Sequence, residues 1–223
     1  MDTRTARNHG LSYIVVLIIC QLLDYATSNT LSFIALTHPE EIGQIIHFED
    51  LLSVLIFLAL AACVLMYLFA SQSAVYRAVL MTAALSTVGL ILNIGGLLLS
   101  LVNREVEPRF LLMDAAIVYA STVLLFSVWY WLLDYDSQQA RCSGMEVTPV
   151  LVFPQNASRI QGYESWKPGF IDYLFLSFHT SSTVGPTDTL VLSKRAKIAM
   201  ICQVTISLIV LIVLAARAIG ILR

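Results

Sequence analysis

The chain has 223 residues, of which 58% are hydrophobic and only 13% are charged. A soluble domain has no such excess of apolar residues, so the composition excludes the soluble classes. The formal net charge of −2 is uninformative about nucleic acid, but the sequence has no basic patch with interleaved aromatic residues, and we expect no nucleic-acid partner.

Five apolar stretches are long enough to cross a bilayer, since a span needs about 20 apolar residues for a hydrocarbon core roughly 30 Å thick. They are Leu11–Leu36, Leu51–Ala70, Ala78–Val102, Phe110–Leu133 and Ile198–Leu222. Lipid admits only helices or closed barrels, and the long continuous runs favour helices. We therefore predict an all-α membrane protein with five transmembrane helices, multi-pass in a cell membrane, such as a bacterial inner membrane.

The first stretch has a second interpretation. Arg4 and Arg7 precede the apolar run Leu11–Leu23, and the small residue Ala26 follows, which is also typical of a signal peptide. The apolar character resumes at Leu31, so we favour a transmembrane span.

Polar residues inside the spans are candidate functional groups, because a charge at the bilayer centre costs about 2.5–3.5 kcal/mol on insertion scales. Asp24 shares a helical face with Gln21 and Ser28. These three either line a water path or pair with Arg217, or else Asp24 lies near a helix end and reaches water. For Asn93, which lies among glycines, we expect close helix packing rather than transport.

The connections and the aromatic residues give further expectations. Residues 37–50 carry histidines and acidic residues whose spacing fits no tight ligand set, so we predict a solvated acidic loop. Residues 134–168 include Pro149, Pro154, Gly144 and Gly162 and predict an ordered excursion or cap. Trp129, Tyr130 and Trp131 end the fourth stretch and predict an aromatic belt at the membrane interface.

The sequence predicts no metal site and no cofactor. Its four cysteines have no CxxC spacing, and there are no clustered histidines, so neither a disulfide framework nor a zinc site is indicated. The cysteines are Cys20, Cys63, Cys142 and Cys202. His179, Ser181 and Ser182 lie close along the chain, but adjacency is not triad geometry, and we expect no enzyme.

The stretch Phe170–Ser182 is apolar and aromatic but too short to cross, at about 20 Å as a helix. A short helix that turns back, then a loop and a full span, is the plan of a pore loop. Irregular backbone at that depth is tolerated only when it is buried in protein or lines water. We therefore predict a re-entrant pore helix and filter-like loop before the last helix, sheltered by several copies, with a homotetramer expected.

Residues 180–188, T-S-S-T-V-G-P-T-D, resemble the potassium-channel filter signature T-x-x-T-V-G-Y-G-D. The matching residues are Thr180, Thr183, Val184, Gly185 and Asp188. The segments W-Y-W-L-L-D (129–134), F-P-Q (153–155), W-K-P-G-F-I-D-Y-L-F (166–175) and P-T-D-T (186–189) are similar to a family of uncharacterised bacterial membrane proteins. That second resemblance implies membership and no activity.

Two departures from the signature weaken the prediction of potassium selectivity. A potassium filter holds ions with rings of backbone carbonyls. Pro186 fixes its own φ and biases Gly185 toward extended backbone. Thr187 replaces a glycine, and a β-branched residue rarely adopts the positive φ that a glycine can adopt. The inner half, from Thr183 and Val184, remains, which predicts weak discrimination among monovalent cations. The alternative is a non-conducting scaffold or partner protein that keeps the pore-loop fold.

These predictions divide the chain into a four-helix region (1–135), a cap (136–169) and a pore-loop module (170–223).

Below the filter, Gln203 and Ser207 are one turn apart, and we expect them to line a cavity or to make helix–helix hydrogen bonds. Asp188 anchors the turn or supplies a charge at the mouth.

The basic residues predict the orientation. If the loop enters from outside, as in potassium channels, nine basic residues lie outside and four inside, against the positive-inside rule. We therefore favour the N-terminus inside, with the loop entering from the cytoplasm beside Lys194, Arg195 and Lys197. Such a cluster would disfavour the entry of cations or attract anions.

Overall fold

In a computed structural model of the chain, the described residues are 3–37, 39–69, 72–102, 108–157, 162, 166–182 and 188–221. This part of the chain forms seven helices and two short strands. The helices are α1 (Thr3–Thr37), α2 (Pro39–Phe69), α3 (Gln72–Val102), α4 (Pro108–Cys142), α5 (Pro154–Ala157), α6 (Phe170–Ser181) and α7 (Lys194–Ile221). The strands are β1 (Leu151–Val152) and β2 (Leu190–Val191).

Helices α1, α2, α3, α4 and α7 are long and apolar enough to cross a membrane. Their outer faces carry large apolar side chains, such as Leu58, Phe69 and Ile212, each more than 60% exposed. Lipid can cover such faces, whereas a soluble monomer rarely exposes large contiguous apolar patches. The prediction of a helical, multi-pass membrane protein is confirmed at this level.

The long helices pack as an antiparallel bundle around α4, which contacts α1, α3, α6 and α7. The rings of Tyr13 in α1 and Trp131 in α4 stack with centroids 4.1 Å apart. Further along α1, Asp24 shares a cavity with Ser121 of α4, so the two helices run in opposite directions. The start of α1 therefore lies at the same end of the bundle as the end of α4.

Two local predictions were wrong. Residues 39–50 belong to α2 rather than to a loop, and Pro39 stands in the first turn, where a missing N–H costs nothing. The predicted aromatic belt is instead part of the core: Tyr130 is fully buried and Trp131 is 9% exposed, while the indole N–H of Trp129 donates to Thr87 at 2.9 Å. Within the bundle these rings contact aromatic rings and a hydroxyl group of neighbouring helices, which the membrane–water interface does not provide.

The connection between α4 and α6 is tied to the chain before α7. Leu151 pairs with Val191 and Val152 with Leu190 in an antiparallel ladder. The Phe153 ring then packs edge-on against Tyr173 of α6, with centroids 5.5 Å apart. This two-strand ladder fixes the start of α7 beside α6. α4 itself continues past residue 135 to Cys142.

Candidate functional site

Helix α6 has one buried face and one exposed apolar face. Its first turn is held by Asp172, whose carboxylate accepts the backbone N–H of Gly169 at 2.7 Å. Its buried side chains include Tyr173, Ser177 and Thr180. The exposed face is apolar and comprises Ile171, Phe175 and Phe178. The helix therefore directs its polar side chains into the bundle.

Two hydrogen bonds place α6 along the second half of α4. The Tyr173 hydroxyl donates to the Asp134 carboxylate at 2.9 Å, and the Ser177 hydroxyl donates to the Val123 carbonyl at 2.6 Å. Asp134 and Val123 are eleven residues apart, about 16 Å along a helix. α6 therefore starts near the end of α4, runs antiparallel to it and ends beside its middle.

The C-terminal end of α6 is held by a group of side chains that we call the Gln203 cluster. It comprises Tyr130, Ser177, Ser181 and Gln203. The Gln203 side-chain N–H₂ group lies 2.9 Å from the Ser177 carbonyl, 2.8 Å from the Ser177 hydroxyl and 2.6 Å from the Ser181 hydroxyl. Its carbonyl accepts a bond from the Tyr130 hydroxyl. Gln203 lies nine residues after Lys194, about 14 Å along α7. α6 thus reaches about halfway through the bundle.

The predicted filter is described only at its two ends. Thr180 is 1% exposed and donates its hydroxyl to the Leu176 carbonyl at 2.8 Å. Asp188 is exposed, just before β2. The filter residues Thr183, Val184, Gly185, Pro186 and Thr187 lie outside the described residues, so their role stays a prediction.

The predicted cavity residues face the chain's own helices. Gln203 and Ser207 are both fully buried. Gln203 makes the helix–helix hydrogen bonds that were the alternative expectation. The Ser207 hydroxyl has no hydrogen-bond partner among the described residues. That these residues line a path between copies stays a prediction.

The sequence analysis missed a buried carboxylate, Asp134, which lies near the N-terminal end of α6. Asp134 is fully buried and accepts bonds from Ser137 at 2.7 Å and Gln138 at 2.8 Å, and the Arg141 guanidinium lies 3.8 Å away. Burial, and then the Asp134 charge, raise the pKa of Tyr173 well above its usual value, so its hydroxyl stays protonated and donates to Asp134. The i, i+3, i+4, i+7 spacing of polar residues after Leu133 could have indicated this group.

A second polar group, the Asp24 cluster, joins α1 to α3 and comprises Gln21, Asp24, Thr27, Ser86 and Asn93. The Asn93 amide donates to the Asp24 carboxylate. The Thr27 hydroxyl lies 3.2 Å from the Asn93 side-chain oxygen and 2.8 Å from the Asp24 backbone carbonyl. Asp24 and Asn93 were predicted separately, and the fold brings them together. The side chains of Ser28 and Arg217 lie outside the described residues.

A cavity of about 20 Å³ opens beside the Asp24 carboxylate, between α1, α3 and α4. Its polar lining includes all five members of the Asp24 cluster and Ser121 of α4. Within the described part of the chain, Gln21 Nε2 and Ser86 Oγ are buried without a hydrogen-bond partner. No group of three or more His, Cys, Asp or Glu side chains in that part could hold a metal ion.

Comparison with protein-family models, with curated proteins and with solved structures found no match. The resemblances to the potassium-channel pore module and to the bacterial membrane family therefore stay predictions.

Proposed function

We propose that this chain is the subunit of a homo-oligomeric pore-loop ion channel that discriminates weakly among monovalent cations. The placement of α6 is the observation that supports this most. The helix enters from one end of the bundle, and Gln203 holds its last turn about 14 Å deep along α7. The segment that resembles a filter therefore starts at mid-depth, where a pore loop would place it.

A channel of this kind needs several copies around an axis. Irregular backbone at that depth is stable only against protein or water, and one chain of this size gives little shelter. The exposed apolar face of α6, which includes Ile171 and Phe175, is available for a neighbouring copy. A homotetramer meets this requirement.

Because Gln203 and Ser207 are fully buried within one chain, we propose that the outward face of α7, in place of these two residues predicted from the sequence, lines the path below the filter. Gln203 and Ser207 point into their own chain, whereas Cys202 and Thr205 are exposed on the other side of the helix. In this proposal Gln203 supports the pore helix, and Cys202 and Thr205 face the axis.

The proposed membrane is a bacterial inner membrane, with α6 entering from the cytoplasmic side. α6 and α7 begin at the same end of the bundle as α1, and the basic residues of that end favour the cytoplasm. A reporter fused after Arg223 tests this orientation, since five spans then put the fusion in the periplasm. Activity only in the cytoplasm would contradict it.

Ion flux through the purified chain in liposomes tests conduction. Val184→Trp should abolish flux, because a large side chain would fill the constriction, while Leu190→Trp, on the exposed edge of β2, should leave it unchanged. Equal flux in wild type and Val184→Trp would contradict conduction through this loop. A potassium over sodium selectivity above about tenfold would contradict the weak filter.

Thiol modification tests the lining. In a Cys142→Ser background, the exposed Cys202 should react with a charged, membrane-impermeant thiosulfonate, and flux should fall. A Cys142→Ser, Cys202→Ser variant is the matched control and should keep its flux. An unreactive Cys202 would place this face of α7 in lipid.

The second candidate is a non-conducting membrane scaffold with the same fold. The inward burial of Gln203 and Ser207 favours it, because the outward face of α7 is mostly apolar, with Ile198, Ile201 and Ile212 each more than 60% exposed. Absence of flux together with a stable oligomer would support the scaffold over the channel.

A further inference from the structure

The cavity beside Asp24 combines a charge with polar groups that lack partners. Gln21 is 2% exposed and Ser86 is 8% exposed, and in the described part of the chain neither Gln21 Nε2 nor Ser86 Oγ has a hydrogen-bond partner. Both residues line the cavity. Buried polar groups in proteins are nearly always satisfied, so two such groups around one carboxylate indicate an occupant.

We propose that this cavity binds one unhydrated monovalent cation, with sodium as the first candidate and Asp24 as its charged ligand. A single carboxylate balances one positive charge, whereas calcium takes six to eight oxygen ligands that usually include several carboxylates. The other polar side chains around it, including Ser86 and Ser121, offer neutral oxygen atoms, the ligands of hard cations. The volume of about 20 Å³ admits about one water-sized occupant.

The remaining members of the Asp24 cluster position the ligands. The Asn93 amide donates to Oδ1 of Asp24, which leaves Oδ2 for the cavity. Asn93 is itself oriented by Thr27. The Gln21 amide carries an oxygen and a nitrogen of similar size, so half a turn of its terminal torsion presents the oxygen to a cation.

The site lies away from the pore-loop module and does not rest on the proposed function. Ser121, which lines the cavity, and Tyr130, which bonds to Gln203, are nine residues apart on α4 and so lie half a turn apart around the helix. A cation held here would join α1, α3 and α4 and stabilise the bundle whether or not it conducts.

Thermal unfolding of the purified full chain in detergent tests the proposal, with tryptophan fluorescence as the signal. Sodium chloride is titrated against choline chloride at constant ionic strength. We expect a saturable rise in Tm of about 5–10 °C at a hundredfold excess over half-saturation. Equilibrium dialysis with radioactive sodium should give one ion per chain.

Three variants assign the effect. Asp24→Asn should remove the sodium-dependent rise, and Ser86→Ala should shift half-saturation to higher sodium while keeping the carboxylate. Asp136→Asn, an exposed carboxylate on α4, should behave as wild type. No sodium dependence in wild type would overturn the proposal, and so would an unchanged rise in Asp24→Asn. A Tm that responds to pH but not to sodium would assign the carboxylate to a proton instead and also overturn it. If Asp24→Asn does not fold, Ser86→Ala and the dialysis stoichiometry decide.

Discussion

The Gln203 cluster and the Asp24 cluster lie at similar depth on different sides of α4, yet they differ in charge and in completeness. The Gln203 cluster is neutral, and its four side chains are bonded to one another. The Asp24 cluster holds a carboxylate, and Gln21 and Ser86 line its cavity with atoms that lack partners in the described chain. A complete neutral network fixes geometry, whereas an incomplete charged one has capacity for a ligand.

The largest expected effect comes from breaking the complete network. Gln203→Leu removes the side-chain bonds that hold Ser177, Ser181 and Tyr130 together and should lower the free energy of unfolding by about 2 kcal/mol, since interhelical hydrogen bonds in membranes average roughly 0.6 kcal/mol each. Denaturant unfolding in detergent measures this. Thr205→Val, two residues along α7 and exposed, is the control and should stay within about 0.5 kcal/mol of wild type. Equal stability of the two variants would remove the structural role of the cluster.

Tyr173→Phe tests in the same way how much the contact at the N-terminal end of α6 contributes to stability. It deletes only the hydroxyl that donates to the buried Asp134 carboxylate at 2.9 Å. We expect a loss of about 1.5 kcal/mol in the free energy of unfolding, because a hydrogen bond to a charged group is stronger than a neutral one. Tyr119→Phe on α4 offers a comparison at a partly exposed tyrosine. A loss no greater than that of the comparison would show that Asp134 is held without Tyr173.

Two fully buried serines test whether the number of hydrogen bonds made by a side chain decides its contribution to stability. Ser177 donates to the Val123 carbonyl and accepts from Gln203, whereas Ser207 is equally buried but has no partner among the described residues. Ser177→Ala should cost about 1 kcal/mol, and Ser207→Ala should cost close to nothing. A large cost at Ser207 would show that its hydroxyl has a partner within the bundle that the described residues do not include.

The smallest expected effect is the coupling between the two clusters. They share no hydrogen-bond partner and contact different sides of α4, so Gln203→Leu and Asp24→Asn should be additive to within about 0.5 kcal/mol. A double-mutant cycle in the same unfolding assay measures the coupling energy. A larger value would mean that α4 transmits changes from one cluster to the other.

The spans and α6 could be predicted because continuous apolar length is a local property of the sequence. The contact between Asp24 and Asn93 could not, since periodicity shows which residues share a face of one helix but not which helices become neighbours. The same limit explains the wrong prediction for Trp131, whose stacking partner Tyr13 lies in α1. Asp134 was missed because the apolar run ends at Leu133, although α4 continues to Cys142.

The central position of α4 has a consequence for folding during synthesis, because some partners of this helix are made after it. Tyr130 and Asp134 leave the ribosome before their partners Gln203 and Tyr173, which belong to α7 and α6. Until those helices arrive, α4 must hold a carboxylate and a phenol without their final partners in or near lipid, where unsatisfied polar groups are costly. A chain truncated after Cys142 should therefore be a substrate for membrane proteases, and synthesis of residues 143–223 should rescue it.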